Sequence, residues 1–457
     1  MHIHFIAIGG SAMHNLAIAM HKKGYRVTGS DDAIFEPSRS RLERYGLLPE
    51  SIGWESERIE ERPDMIILGM HAKEDNPELL KAQELGLKIF SYPEFLYEEA
   101  KDKTRIVIGG SHGKTTITSM ILHVLHYHAI EVDYMVGAQL EGFDTMVNLT
   151  HTNDFVVLEG DEYLSSSLDM RPKFHLYKPN IALLSGIAWD HINVFPTFEN
   201  YKEQFRIFIE QIVEGGVLIY NEEDTHVKEL AEQTQHHIRK IPYGTPKYRI
   251  EKGTTFIDTP EGDLPIEIFG VHNLNNLSGA QKICQQMGIL ETDFYEAIGT
   301  FKGASKRMEK IGESSNAVIY KDFAHSPSKV AATTEAAKEQ YPNRSVVACL
   351  ELHTYSSLNS TFIQEYKGAL DAADIAVVYY SPEAVALKKL ENLREEDIYK
   401  AFQREDLQVY TSPEIFKDFV YGLESKGLCL VLMSSGNYGG LDIQQVADTL
   451  TNSAESV

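Results

Sequence analysis

The 457-residue chain predicts an α/β fold of three domains in series. Short apolar runs of strand character alternate with segments of helical periodicity along the whole length, the pattern of parallel sheets covered by helices. Two of those runs lead straight into glycine turns, at Gly9 and Gly10 and again from Gly109 to Gly113. Polar, charged stretches at "YEEAKDKTR" and "TFKGASKRMEK" interrupt the alternation, and a chain of this length fits two or three cores.

The first domain is assigned to residues 1–98 as a Rossmann-like unit. It opens with the strand "HIHFIAI", the glycine pair, and Leu16, Ala17 and Met20 at helical spacing. Strands follow at "YRVTGSD", "DMIILGM" and "LKIF", and Pro77 sits where a first helical turn accepts it. The second domain, 99–302, carries strands at "RIVIG", "FVVLEG", "IALLSGI" and "GVLIYN". The third, 303–457, is again Rossmann-like, with "AVIYKDF", "SVVACLEL", "IAVVYY" and "LCLVLMSS".

Composition excludes several classes of function. The formal charge of −24, from 43 basic and 67 acidic residues, opposes nucleic acid or anionic membrane as the main partner, because both require a basic footprint. No run approaches the roughly 18 apolar residues of a membrane span, and the N-terminus shows no basic leader, which places the expectation in the cytoplasm. Cys284, Cys349 and Cys429 lie far apart without pairing or metal spacing and read as reduced core residues.

"RIVIGGSHGKTTITSM", residues 105–120, carries the most chemistry. After the loop, Ile117, Met120, Ile121, Val124 and Leu125 occupy one helical face, so the loop joins a strand to a helix N-terminus, where unpaired N–H groups and the helix dipole favour phosphate. Gly110, Ser111, His112, Gly113, Lys114, Thr115 and Thr116 form this candidate nucleotide site. Gly110 and Gly113 permit close approach, Lys114 supplies charge, and the Thr115 hydroxyl takes a Mg²⁺ position. Ile108 stands where the longest form of the motif has glycine, so this is a shorter variant. Hard oxygen ligands are expected at the end of a neighbouring strand. Glu159, Asp161 and Glu162 follow one candidate strand, and Asp190 and His191 follow another.

With these pieces in order, the chain resembles the Mur ligases, ATP-dependent enzymes that build the peptide of peptidoglycan precursors. The motifs are "GGSHGKTT", "LEGDEY", "WDH", "VHNLNN", "ASKRME" and "KDFAHSP". The resemblance implies a UDP-N-acetylmuramate-binding first domain, a P-loop ATPase-like central domain and a C-terminal domain for the amine substrate. It implies ATP and Mg²⁺ as cofactors and small molecules as partners, with a muramyl acyl phosphate attacked by an amine. Lys114, Glu162, His191 and Arg307 are the implied catalytic residues, with metal on Thr115, Glu162 and His191. Asn273 and Asn276 match the element beside the adenine, Arg307 the group that reaches the γ-phosphate, and Asp322 and His325 the segment facing the nucleotide. The His191 and His325 neighbourhoods are candidates for the base. Several family members carry a carbamylated lysine fifteen residues after the histidine, where this chain has Arg206, and Lys321 replaces an acid common in relatives.

The first domain resembles that of ligases acting directly on UDP-N-acetylmuramate, with Gly9, Gly10, Ser11, Ala12, Met13 and Asp31 at the UDP-sugar. Asp31 also lies where a dinucleotide fold places its ribose acid, but Met13 breaks that fingerprint. Two amine substrates remain open. "SSGNYGG" resembles the segment of the members that add the tripeptide L-alanyl-γ-D-glutamyl-meso-diaminopimelate, with Ser434, Gly436 and Tyr438 in the substrate set. His353 and Tyr355 instead resemble the members that add L-alanine.

Overall fold

The computed structural model describes residues 1–452 apart from 141, 305, 306, 391 and 392. Ser305 and Lys306 of the "ASKRME" motif therefore lie outside the described residues. The chain divides into two compact bodies: Met1–Ile187 with Glu199–Tyr243 and Gly279–Met287, and Ala188–Phe198 with Gly244–Ser278 and Gly288–Val457.

The first body holds two sheets. β1 (His2–Ile6), β2 (Arg26–Ser30), β3 (Met65–Leu68) and β4 (Lys88–Ser91) form a parallel sheet in the order β2-β1-β3-β4. Its strands are apolar because helices cover them, and Ile3, Phe5, Ile66 and Ile67 are fully buried. The second sheet contains β5 (Thr104–Gly109), β6 (Asp133–Met135), β7 (Val147–Asn148), β8 (Phe155–Glu159), β9 (Ile181–Leu184), β10 (Val217–Asn221) and β11 (Arg239–Tyr243). Its order is β11-β10-β9-β5-β8-β6-β7, with β7 the antiparallel strand at one edge. β5 lies at the centre between β8 and β9, so the loop after it emerges at the carboxyl edge beside the acids that follow β8.

The second body begins with an antiparallel meander of β12 (Tyr248–Glu251), β13 (Thr254–Thr259) and β14 (Gly262–Ile266), for which the sequence reading assigned no strands. Its first turn, Lys252 and Gly253, has positive φ at both residues (51° and 78°), the geometry of a tight two-residue hairpin. The larger sheet comprises β15 (Glu309–Glu313), β16 (Ala317–Asp322), β17 (Ser345–Leu352), β18 (Ile375–Tyr380), β19 (Gln408–Tyr410) and β20 (Leu428–Met433). Its order is β15-β16-β20-β17-β18-β19, parallel but for β15. Trp189 and Ile192 pack against its core, and the Trp189 ring meets Phe362 edge-on at 5.9 Å.

The first four residues of "YEEAKDKTR", around which the sequence reading places the first boundary, are the last turn of helix Tyr92–Ala100, whose Phe95, Leu96 and Ala100 are buried while Glu98 is exposed. Ser91 opens that helix with a capping box: its N–H donates to Glu94 Oε2 (2.8 Å) and its hydroxyl accepts the Glu94 N–H. The three cysteines are free and buried, as expected. Among the described residues no helix is long and apolar enough to cross a membrane.

A buried polar network sits beneath the first sheet. Glu78, in the helix that Asn76 caps, is fully buried. Its Oε2 accepts from His4 Nε2 (3.2 Å) and from the Ser30 hydroxyl, and its Oε1 accepts from the Glu55 N–H (2.9 Å). Burial pushes this carboxyl upward, but the bonds from His4, Ser30 and Glu55 outweigh it and hold the pKa below the ordinary glutamate value. The stability this supplies is complete at neutral pH and is lost as pH falls through the acid range. Glu78→Ala is expected to lower the unfolding free energy by about 3–5 kcal/mol, the cost of stranding buried partners. Urea midpoints at pH 7 measure this loss, and the variant should show a flatter acid limb of stability against pH.

Candidate active site

The phosphate loop is shaped by its glycines. Gly110 has φ 134°, and a Cβ there would lie 2.0 Å from Ser185 Oγ, so the Gly109–Ser111 backbone can lie against β9 only without a side chain. Gly113 enters helix Lys114–Tyr127 at φ 80°. The Ser185 hydroxyl donates to the His112 carbonyl, and Thr115 and Thr116 lie buried in the first helical turn.

Lys114 is held on the sheet edge by two acceptors, with Nζ 2.6 Å from the Gly110 carbonyl and 2.5 Å from Glu162 Oε2. The Tyr201 hydroxyl, on helix Phe198–Glu210, lies 3.0 Å from both Glu162 Oε1 and Ser111 Oγ. Burial alone would depress the Lys114 ammonium, but the charges of Glu162, Asp161 and Glu159 outweigh it and raise its pKa. Thr115 Oγ1 donates to Glu159 Oε1 (2.8 Å), and Gly137 N–H donates to Glu159 Oε2 (2.8 Å). Asp161 pairs with Lys173 at 2.5 Å; burial opposes its ionisation, yet Lys173 and Lys114 hold its carboxyl well below the usual range. Sequence reasoning put Glu159 and Asp161 beside Glu162 but missed Tyr201 and Lys173, whose positions carry no local signal.

A cavity of about 310 Å³ joins this cluster to the first sheet. Ser11 and Ala12, exposed at the start of the helix after β1, share its lining with Lys114, Glu159, Asp161 and Lys173. Two of the predicted UDP-sugar residues behave differently. Met13 is buried in the core and offers only backbone. Asp31 Oδ2 accepts the Gly9 N–H (2.7 Å) and Oδ1 the Asp32 N–H (2.9 Å), so this carboxylate closes the glycine turn.

The remaining nucleotide-side residues lie in the second body. Asp190 Oδ1 accepts the His191 N–H (2.7 Å), and Oδ2 stands 3.7 Å from Lys329 Nζ. His191 adopts φ 53°, an uncommon conformation for a non-glycine residue, and its carbonyl accepts from Val194 and Phe195 (2.8 and 2.9 Å). The His325 Nδ1–H donates to the Phe323 carbonyl (2.7 Å), and burial, with Lys329 adding to it, brings this imidazole down to about 4, so it is neutral at pH 7. Asn273 Nδ2 donates to the Phe269 carbonyl (2.9 Å), and Asn276 is buried on the same helix. Arg307 stacks over Phe323 at 5.0 Å. The Asp322 oxygens accept from the Met308 and Ala324 N–H groups, both at 2.6 Å, so this carboxylate clamps backbone.

Thr115 bonds Glu159, Glu162 bonds Lys114, and His191 belongs to the second body. Among the described residues no three His, Cys, Asp or Glu side chains converge for a metal. Arg206 pairs with Glu203 and Glu210 on the outer face of its helix.

Of the residues expected at the amine substrate, Ser434 and Gly436 follow β20, and beyond β17 His353 is half-buried and Tyr355 exposed. The Tyr438 ring is fully buried and its hydroxyl lies 2.7 Å from both the Cys349 and Met433 carbonyls, so it supports the turn from within.

Comparison with known proteins accounts for these parts together. Residues 2–104 match the Mur ligase family catalytic domain, 108–284 the Mur ligase middle domain and 306–436 the Mur ligase glutamate ligase domain. The chain is 30% identical over 411 residues to a UDP-N-acetylmuramate–L-alanine ligase of Alkaliphilus metalliredigens, covering 87% of this chain and 84% of that one. It is 26% identical over 472 residues, spanning all of both chains, to the UDP-N-acetylmuramate–L-alanyl-γ-D-glutamyl-meso-2,6-diaminoheptandioate ligase of Escherichia coli K12. The crystal structure of a murein peptide ligase from Psychrobacter arcticus shares its fold, with a TM-score of 0.65 at 23% identity over 99% of each chain. The chain belongs to the Mur ligase family, the ATP-dependent ligases that form amide bonds.

Proposed function

We propose that this ligase joins the tripeptide L-alanyl-γ-D-glutamyl-meso-diaminopimelate to UDP-N-acetylmuramate, in recycling of the cell-wall peptide. The observation that carries the acid-activating half is the cavity that lines Ser11 and Ala12 together with Lys114 and its acids. It gives a UDP-linked carboxylate and a nucleotide phosphate one common space. The "SSGNYGG" turn supports the tripeptide as amine. L-Alanine is the second reading, favoured by His353 and Tyr355 and by the alanine-adding relative.

The residues present suit MgATP. The side-chain-free cradle at Gly110, the Lys114 ammonium and the hard oxygens of Thr115, Glu159 and Glu162 are the donors a phosphate–magnesium pair requires. We assign phosphate binding to Lys114 and the loop N–H groups, and metal binding to Thr115, Glu162 and His191. Bound Mg²⁺ supplies neutralisation of the phosphate charge. Lys114 exchanges Glu162 for phosphate oxygen, which frees the carboxylate, while Tyr201 keeps Glu162 oriented. The muramyl carboxylate attacks the γ-phosphorus, ADP leaves, and an acyl phosphate results. The amine then attacks the acyl carbon, loses a proton and expels phosphate. Arg307 is assigned to the γ-phosphate. His325, neutral at pH 7, is assigned as the proton acceptor. Keeping water from the acyl phosphate preserves it for the amine.

Lys114→Ala is expected to lower phosphate release by about 10²-fold or more, the usual cost of removing a charge-stabilising donor, with an unchanged circular dichroism spectrum. Equal turnover in the variant removes Lys114 from the site. For the amine, phosphate release with ATP, Mg²⁺ and UDP-N-acetylmuramate is compared between tripeptide and L-alanine, with the UDP-linked product checked by mass. Product with the tripeptide alone is expected, and product with L-alanine assigns the enzyme to de novo synthesis instead.

A further inference from the structure

We infer that Glu351, at the carboxyl end of β17, is the positioning residue of the amine-substrate site, an inference that rests on the ligase reading above. Glu351 is 4% exposed, yet its carboxylate organises a turn that is mostly exposed. Its Oε2 accepts from the Ser434 hydroxyl and from the Tyr438 N–H (2.9 Å). Ser434 Oγ in turn accepts the Gly436 N–H at 2.7 Å. One carboxylate oxygen thereby fixes both ends of the segment 434–438, and the serine hydroxyl fixes its middle.

Packing narrows the arrangement further. A Cβ on Gly436 would come within 2.8 Å of Glu351 Oε2 and 2.9 Å of His353 Cγ, so only glycine lets the turn close on the carboxylate and the imidazole together. His353 Nδ1 lies 3.9 Å from Glu351 Oε1, with 42% of its side chain exposed. Tyr438 takes φ 52°, an uncommon conformation for a bulky residue, and is kept there by Glu351 at its N–H and by the Cys349 and Met433 carbonyls at its hydroxyl. The half-buried His353 and the exposed Gly436 and Asn437 are thus held in register by a buried residue that presents almost no surface of its own. Hydrogen-bond geometry carries this role, so a neutral acceptor of the same shape preserves it.

The test is steady-state kinetics with whichever amine the wild-type enzyme turns over. Glu351→Ala is expected to raise the amine KM about tenfold or more while the KM values of ATP and UDP-N-acetylmuramate stay within about twofold, because only the amine edge loses its geometry. Glu351→Gln, which retains an acceptor for Ser434 and Tyr438, is expected to return the amine KM to within about threefold of wild type. Ser434→Ala removes the hydroxyl relay alone and reports on the same turn if Glu351→Ala does not fold; its amine KM is expected to rise selectively. An unchanged amine KM in Glu351→Ala, or in Ser434→Ala where the first variant cannot be purified, overturns the inference, as does an equal rise in all three KM values. Wild-type enzyme that releases no phosphate with any amine overturns the ligase reading itself, whereas wild-type turnover with flat variants overturns only the role of Glu351.

Discussion

The Lys114–Glu162 ion pair is the interaction around which the catalytic edge of the first body is arranged. Both partners are largely out of water, where an unmatched charge costs several kcal/mol, so each determines where the other can be. Lys114 closes back on the Gly110 carbonyl, and Glu162 takes the Tyr201 hydroxyl on its second oxygen. The central position of β5 beside β8 makes this possible, because parallel neighbours deliver their following loops to one edge. The pair holds its two charges in mutually neutralising form.

A related device recurs at the ends of other strands. Asp31 after β2 accepts the Gly9 N–H, Glu159 ending β8 accepts Gly137, Asp322 ending β16 accepts Met308 and Ala324, and Glu351 near the end of β17 accepts Tyr438. Each carboxylate is buried, and each ties a loop of the carboxyl edge to the strand it follows. Hydrogen bonds from backbone N–H groups to a carboxylate are among the stronger ones available. Part of the chain's acidic excess is therefore structural.

How much of this was legible follows from the range of each interaction. The phosphate loop was readable because its determinants lie within twenty residues: an apolar strand, the glycines, lysine and threonine, then a helical face. The parallel strands were readable because burial on both sides makes them continuously apolar. The meander was not, since β12 to β14 alternate polar and apolar residues and their hairpin at Lys252 and Gly253 lacks the commonest turn pairs. The last turn of helix Tyr92–Ala100 reads as part of a charged stretch, although Ser91, Pro93 and Glu94 spell the helix start. Tyr201 and Lys173 had no sequence signal at all, because their partners come from other elements.

Asp31, Asp322 and Tyr438 show a different limit. The motifs located them correctly at the edges where ligands are expected, but a motif does not say whether a polar atom faces the ligand or the backbone. The distances decide it: both oxygens of Asp31 and of Asp322 are occupied by N–H groups, and the Tyr438 phenol is spent on two strand-end carbonyls. On the function proposed above, amine specificity is a matter of which groups those anchored loops leave accessible. His353, Gly436 and Asn437 are such groups, and the buried carboxylate of Glu351 fixes the spacing between the strand that carries the first and the turn that carries the others. On that reading, a change of amine on this scaffold calls for a change in that turn and its anchor.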